Sequence, residues 1–358
     1  MSFRIIAFAG LAAASLLGHG PALAQNATNG QALYRAYCIA CHSIPPAGGP
    51  DRAANDPARI RAAASGGVPE MRIVNFLSDN QLADIAAWIA LDLGIGPPQL
   101  QANFTALWWN PDESGWGINF NHQGSIIFGT LFTYDAGGAP MWLVMPSGNL
   151  QSGSTYSGQL FRTTGPPFDA SPFNPIGADN LSLVGTMTVT FAGADAATLV
   201  YSFNGLQVTK SIRRQVFGSR AADCSTISGD RSAFSNYQDL WWNAAESGWG
   251  LNLTHQDNTL FATLFTYDAA GRDLWLVLPS GARQADGSYS GDLYRTTGPA
   301  FNANPFTPIG AGNLTVVGNM RLRFADGNNG TLTYTYQGRT VTKAITRQVF
   351  ANPVPVCQ

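Results

Sequence analysis

Residues 107–123 read LWWNPDESGWGINFNHQ, and residues 240–256 read LWWNAAESGWGLNLTHQ. The match continues along the chain, because TLFTYDA, RTTGP and RQVF each occur twice at the same interval of 133 residues. About half of the aligned positions are identical, and the constant interval leaves no room for a net insertion. These residues therefore predict a tandem duplication of one structural unit.

Each copy has the residue pattern of antiparallel β-structure. In GWGINFNH the side chains of Trp116, Ile118, Phe120 and His122 alternate with small or polar residues, which is typical of a strand. Turn sequences such as YDAGGAP and FADGNNG separate the apolar runs. We expect about seven or eight short strands per copy, arranged as a meander that forms a barrel or a sandwich.

The residues before the duplication follow a helical pattern instead. NDPARIRAAASGG predicts a short helix with Asp56 as its N-cap and Pro57 as its first residue. SDNQLADIAAWIALDLG predicts a longer helix, which begins with a capping box of Ser78 and Gln81 and ends at Gly94.

The predicted fold class is therefore multidomain, with an all-α domain followed by two homologous all-β domains. The predicted boundaries are a signal peptide at 1–24, the α-domain at 25–96, a linker at 97–102, the first β-repeat at 103–224, a linker at 225–235 and the second β-repeat at 236–358.

The α-domain contains the pentapeptide CIACH at residues 38–42. A structural zinc site needs four ligands, and this domain has no other Cys or His. A thioredoxin-like dithiol needs a strand before it, whereas the residues GQALYRAY, which precede this motif, have helical character. A chance pentapeptide without special chemistry is a third alternative. Covalent haem attachment explains more, because Cys38 and Cys41 can add to the haem vinyl groups while His42 becomes the proximal iron ligand.

From NGQALYRAYCIACH to LSDNQLADIAAWIA, over about residues 26–96, the domain resembles a small monohaem cytochrome c of the class I kind. The resemblance implies one haem c, Met71 as the distal iron ligand, and a last helix that crosses the first with Trp88 against Tyr34 or Gly30. A six-coordinate iron of this kind suits electron transfer better than substrate conversion. The candidate partners for the haem propionates are Arg52, Arg59, Arg61 and Arg72.

Several aromatic and charged residues occupy the same position in both β-repeats, among them Trp116 and Trp249, and Glu113 and Glu246. One interpretation is a stacking site at Trp116 and Trp249 for a sugar or another flat ligand. The other interpretation is structural, with bulky aromatics that fill the core and a Glu–Arg pair that ties strands together. The repeats also look similar to tandem domains of exported bacterial proteins of unknown role, which implies no activity.

The N-terminal residues indicate export. Arg4, an apolar run over 5–17 and the sequence Ala-Leu-Ala at 22–24 are typical of a secretory signal peptide. No later run has the length of a membrane-spanning helix, so we expect a periplasmic or secreted protein. In such an oxidising compartment Cys224 and Cys357, also 133 residues apart, are expected to pair, the alternative being free or intermolecular thiols.

The amino-acid composition argues against one class of function. Charged residues make up 12% of the chain, and it contains only two lysines, which argues against nucleic-acid binding.

Three hypotheses about the function follow from the sequence. The chain is an electron-transfer cytochrome whose β-repeats dock to an unidentified redox partner protein, a haem-dependent oxidoreductase whose β-repeats bind substrate, or a small-molecule or glycan-binding adhesion module with an accessory haem. We favour the first, because no group of residues suited to converting a substrate is recognisable.

Overall fold

A computed structural model describes residues 27–46, 49–54, 56–93, 103–227 and 230–358. The predicted signal peptide at 1–24 and the predicted linker at 97–102 lie outside these residues. The chain divides into two compact units, Met1–Gln99 and Leu100–Gln358. The described part of the first unit is helical and the second unit consists of β-barrels, so the predicted fold class is confirmed.

Three α-helices form the described part of the first unit, and short helical turns connect them. The α-helices are α1 (Ala27–Tyr37), α2 (Pro57–Ala62) and α3 (Asp79–Asp92). The connecting turns are 3-10 helices at Pro50–Ala53 and Pro69–Val74 and a π-helical turn at Ala63–Gly67.

The predicted helix starts are confirmed. Asp56 caps α2, since its carboxylate accepts a hydrogen bond from the backbone N–H of Arg59 at 3.0 Å. Ser78 and Gln81 form the capping box of α3, because the Ser78 N–H donates to the Gln81 side chain at 2.9 Å and the Gln81 N–H donates to the Ser78 hydroxyl at 3.3 Å. These bonds satisfy N–H groups that the first turn leaves unpaired. Gly94, the predicted end of α3, lies outside the described residues.

Helices α1 and α3 cross in close contact. The rings of Tyr34 and Trp88 lie 4.5 Å apart, and both side chains belong to the buried core of this unit. Gly30 lies against the α3 backbone, where an added Cβ would come within 1.8 Å of the carbonyl oxygen of Asp84. Of the two partners expected for Trp88, Tyr34 therefore makes the contact, while Gly30 allows the close approach.

The first half of the second unit is a closed barrel of eight antiparallel strands, each paired with its neighbour in the sequence. Its strands are β1 (Ala106–Trp109), β2 (Gly117–Gln123), β3 (Ile126–Tyr134), β4 (Pro140–Ser152), β5 (Thr155–Thr163), β6 (Leu181–Phe191), β7 (Ala196–Phe203) and β8 (Leu206–Arg214). Strand β1 pairs with β8, with Trp108 opposite Arg214, and this pairing closes the barrel.

The second copy repeats this barrel. Its strands are β10 (Asp239–Trp242), β11 (Gly250–Gln256), β12 (Thr259–Tyr267), β13 (Asp273–Arg283), β14 (Tyr289–Thr296), β15 (Leu314–Phe324), β16 (Asn329–Tyr336) and β17 (Arg339–Arg347). Here β10 pairs with β17. At the turn between β16 and β17, Gln337 and Gly338 have φ values of 48° and 75°, a conformation that favours glycine and suits a tight hairpin.

The two barrels contact each other through reciprocal hydrogen bonds. The indole N–H of Trp142 donates to the carbonyl oxygen of Thr266 at 3.2 Å, and that of Trp275 donates to the carbonyl oxygen of Thr133 at 2.9 Å. Strands β2 and β11 are buried along most of their length, because one face of each lines its own barrel and the other faces the second barrel. The two copies thus pack about an approximate two-fold axis.

A separate two-stranded sheet joins the end of the first barrel region to the end of the chain. It consists of β9 (Cys224–Ile227) and β18 (Val354–Cys357), with Cys224 directly opposite Cys357. A disulfide joins the two cysteines, so the predicted disulfide is present.

Candidate functional site

The CIACH motif forms a turn that leaves the end of α1. The N–H of Cys38 donates to the carbonyl oxygen of Tyr34 at 2.8 Å, and the N–H of His42 donates to the carbonyl oxygen of Cys38 at 3.0 Å. This turn leaves Cys38 buried, Cys41 exposed and His42 half-buried. The two thiols therefore occupy different environments, although only two residues separate them.

A mostly apolar cavity of about 380 Å³ adjoins the motif. His42 lines it from the turn after α1, and Met71 lines it from the 3-10 helix at Pro69–Val74. The other lining residues are Tyr34, Cys38, Gly49, Pro50, Arg52, Ala53, Arg59, Ile60, Ala63, Val68, Ile85 and Ile89. The fold therefore brings the predicted Met71 to the same cavity as the predicted His42.

The lining of this cavity fits a haem group. Its walls are largely apolar, as a porphyrin ring requires, and its volume lies in the range of small-molecule pockets. Of the four arginines considered for the propionates, Arg52 and Arg59 line the cavity. Arg61 instead donates to the carbonyl oxygens of Asn75 and Leu77, and Arg72 lies outside the lining.

The two alternative chemistries for the motif find little support. Burial, followed by the neighbouring Cys41, raises the pKa of the Cys38 thiol to about 11, whereas a reactive dithiol needs a lowered thiol pKa. Among the residues that the structure describes, no group of three or more His, Cys, Asp or Glu side chains could hold a metal ion. A zinc site at the motif would need further ligands of this kind.

The comparison with protein families bears on the first unit as a whole. Residues 25–89 match the sequence model of the family described as cytochrome C oxidase, cbb3-type, subunit III. The first unit contains a cytochrome c domain. Such a domain implies a covalently bound haem c. No curated protein and no solved structure matched the chain.

In the β-unit, Trp116 and Trp249 are buried wall residues with their indole N–H groups already bonded. Trp116 donates to the carboxylate of Glu113 at 3.0 Å, and Trp249 donates to the carboxylate of Glu246 at 3.0 Å. An indole whose N–H is engaged can still offer its ring to a ligand but has no hydrogen bond left to donate.

Each of these glutamates pairs with a lysine, which corrects the expected Glu–Arg pair. Lys210 lies 2.7 Å from a carboxylate oxygen of Glu113, and Lys343 lies 2.9 Å from one of Glu246. The ammonium of Lys210 also sits 5.6 Å from the centre of the Trp116 ring. A lysine fits here because β8 places its flexible stem beside β1 and the loop that carries Glu113, and its ammonium reaches both the carboxylate and the ring.

These lysines are the residues that sequence reasoning missed. They are the only lysines of the chain, and they lie 133 residues apart, so their spacing alone marked them as a retained pair. Because each lysine compensates the charge of its glutamate, Glu113 and Glu246 are tied into the barrel wall rather than available as acid–base catalysts.

The two histidines of the barrels are also committed to internal contacts. In His122, Nδ1 accepts from the N–H of Phe104 at 3.4 Å and Nε2 lies 3.2 Å from the hydroxyl of Tyr156. His255 has the same pair of contacts with Tyr237 and Tyr289. Burial lowers the pKa of each histidine to about 4. Neither therefore offers a free nitrogen as an alternative iron ligand.

Proposed function

We propose that this chain is an exported electron-transfer protein with a single haem c, held by Cys38 and Cys41 and ligated by His42 and Met71. The observation that carries the proposal is the apolar cavity that His42 and Met71 both line, next to two thiols spaced for covalent attachment. The family match of residues 25–89 supports the same assignment.

Each residue of the site would have its own role toward the haem. When bound, the haem supplies a one-electron iron couple. Cys38 and Cys41 would hold it through thioether bonds, and His42 and Met71 would ligate its iron. The Met71 thioether would raise the reduction potential of the bound group, and the apolar side chains of Ile60, Ile85 and Ile89 would exclude water from it.

Arg52 and Arg59 are suited to the haem carboxylates. Both side chains are exposed at the rim of the cavity, where their charge costs little desolvation. Arg59 also lies 3.5 Å from Asp56, but both partners of that pair are about half exposed, so the contact is weak and does not prevent a second one.

From the secretory-type sequence at residues 1–24 we further propose a periplasmic or extracellular location, and we propose a redox protein as the partner. Within the described residues no helix has the length and apolar character that crossing a membrane demands. The cytochrome c domain contains no lysine, but it exposes Tyr37, Ile73 and Phe76, and the rings of Tyr37 and Phe76 lie 5.3 Å apart. Contact through these apolar side chains, with little electrostatic steering, is the mode of association that this surface favours.

The test is a pyridine haemochrome assay and a redox titration of the full chain, made in a host that attaches haem. The parent protein should carry one haem per chain that survives acid–acetone extraction. His42→Ala should abolish the low-spin spectrum while the barrels stay folded. Met71→Ala should keep the covalent haem, lose the far-red Met–iron absorbance band and lower the reduction potential.

Val68→Ala is the matched control, because Val68 lines the same cavity but has no atom that ligates iron. It should keep both the far-red band and a potential close to that of the parent. An unchanged spectrum and potential in Met71→Ala would refute the axial assignment. A chain without an attached macrocycle would refute the proposed function as a whole.

A further inference from the structure

Two cavities lie between the barrels and are unrelated to the haem site. Groove A has a volume of about 370 Å³ and is lined by Leu107, Trp109, Ser114, Gly115, Trp116, Phe132, Gln215, Phe261, Trp275, Val277, Pro279, Tyr294, Thr296, Ile309 and Leu314. Groove B has a volume of about 290 Å³ and is lined by Phe128, Thr130, Trp142, Val144, Pro146, Phe161, Thr163, Ile176, Leu181, Leu240, Trp242, Ser247, Gly248, Trp249, Gly250, Phe265 and Gln348. Each groove takes its walls from both barrels.

The two grooves are equivalent under the duplication. Every residue that lines groove A has its repeat-equivalent residue in the lining of groove B, 133 positions away along the chain. All of these pairs are identical except Tyr294 and Phe161, although only about half of the positions agree between the copies as a whole. The residues that line the grooves therefore differ between the two copies much less than the rest of the barrels does.

Core packing alone does not explain why the residues that line the grooves are identical in the two copies. Side chains kept only to fill a core leave few voids larger than a water molecule, whereas these residues surround two open spaces of about 370 and 290 Å³. Leu314 in groove A and Leu181 in groove B are each 44% exposed, and the copies agree at this water-facing position. An apolar surface that stays open to water in both copies is typical of a binding site.

The lining decides which class of ligand fits. Among the residues that the structure describes, no charged side chain lines either groove. The indole N–H groups of Trp116, Trp275 and Trp142 are already bonded to Glu113 and to backbone carbonyls. Few polar groups remain to match the many hydroxyls of a sugar, and desolvating those hydroxyls without partners is costly.

What the grooves do offer is aromatic surface. Trp109 in groove A and Trp242 in groove B are half-buried, so part of each ring faces the open space. Aromatic rings pack well against other rings and against apolar atoms. The volumes lie at the low end of the range for small-molecule pockets, about 300 to 1,000 Å³, which suits a compound of one or two rings.

We infer that the paired barrels bind two molecules of a neutral, largely apolar ring compound, one in each groove. This binding function goes beyond the proposed electron transfer and does not depend on it, because every residue involved belongs to the β-unit.

The test is equilibrium dialysis of the full chain against 2-naphthol, a neutral aromatic probe of two rings. We expect saturable binding of two molecules per chain. Trp109→Ala and Trp242→Ala should each remove one of the two sites, and the double variant should lose both. Leu206→Ala is the control, because Leu206 is 50% exposed but lines neither groove, and it should keep both sites.

A second pair of variants checks that the loss of a binding site does not result from misfolding. Leu314→Asp and Leu181→Asp place a charge at the exposed edge of groove A and groove B, and each should also remove one site. Absence of saturable binding, two retained sites in all of these variants, or displacement of the probe by cellobiose would overturn the inference. The His42→Ala variant should still bind two molecules, so that failure of the haem assignment and failure of this inference give different results.

Discussion

Gly30→Ala tests whether the crossing of α1 and α3 holds the cytochrome c domain together. An added Cβ would lie 1.8 Å from the carbonyl oxygen of Asp84 and 2.9 Å from the backbone nitrogen of Ile85. Both are backbone atoms of a helix, so neither can rotate away as a side chain would. The helices themselves must therefore move apart.

The expected change in the stability of the domain is the sum of opposing contributions. Non-bonded heavy atoms pack at about 3.5 Å, so the helices must separate by roughly 1.7 Å. Overpacking of this kind costs about 1–3 kcal/mol, and loosening the Tyr34–Trp88 ring contact adds about 1 kcal/mol. Alanine is the better helix former by about 1 kcal/mol. The net expectation is a loss of about 2 kcal/mol from the stability of this domain, which is roughly a 30-fold change in its opening equilibrium.

Hydrogen exchange followed by mass spectrometry measures this locally. Peptides from 27–93 should exchange roughly 30-fold faster in Gly30→Ala where exchange requires the domain to open, while peptides from 103–227 should not change. Gly66→Ala is the matched control, because no atom of the described residues lies within 4 Å of a Cβ added there. If Gly30→Ala exchanged as slowly as Gly66→Ala, the close approach of the two helices would be refuted.

Two further predictions concern the β-unit. The pKa of His122 and of His255 is lowered by burial to about 4, so the unfolded chain binds protons that the folded chain rejects, and stability should fall as pH drops below 6.5. Between pH 7 and 5 the loss is about 2 kcal/mol per histidine, measured by urea denaturation across that range. Replacing Cys224 and Cys357 together by Ser should lower the stability of the β-unit by about 4 kcal/mol, because the disulfide closes a loop with a sequence separation of 133, and the urea midpoint in non-reducing buffer reports this loss.

Each of these predictions has its own control. The double variant His122→Gln and His255→Gln should flatten the pH profile between 7 and 5, and an unchanged slope in that variant would contradict the assignment of the slope to these histidines. For the disulfide, the parent protein in reducing buffer should match the double Ser variant. Equal urea midpoints for the variant and the oxidised parent would show that the cross-link contributes nothing.

Part of the candidate site could be predicted from residues close along the chain. The CIACH pentapeptide and the caps of α2 and α3 are local patterns, in which each residue acts on another a few positions away. Met71, in contrast, is suggested only by its place in the loop before α3. That it lines the same cavity as His42 depends on how three helices pack, and short-range patterns do not carry that information.

The barrels also combine features that local sequence patterns predict with features that depend on tertiary packing. Strict alternation is visible in β8, where buried and exposed side chains follow each other, but β2 is buried throughout because a second barrel covers its outer face. The predicted arginine partner of Glu113 was wrong, since Lys210 is distant in sequence and is brought near only when β8 closes onto β1.

The amino-acid sequence by itself determined the tandem duplication, the helix starts and the position of the haem-type motif, because these depend on neighbouring residues or on a repeat at constant interval. Only the tertiary structure decided that each copy closes into a barrel, that the copies pack about an approximate two-fold axis, and that two equivalent grooves form between them. Those outcomes rest on contacts between residues about a hundred or more positions apart, such as the bonds from Trp142 to Thr266 and from Trp275 to Thr133. Such contacts come into existence only when both barrels are complete.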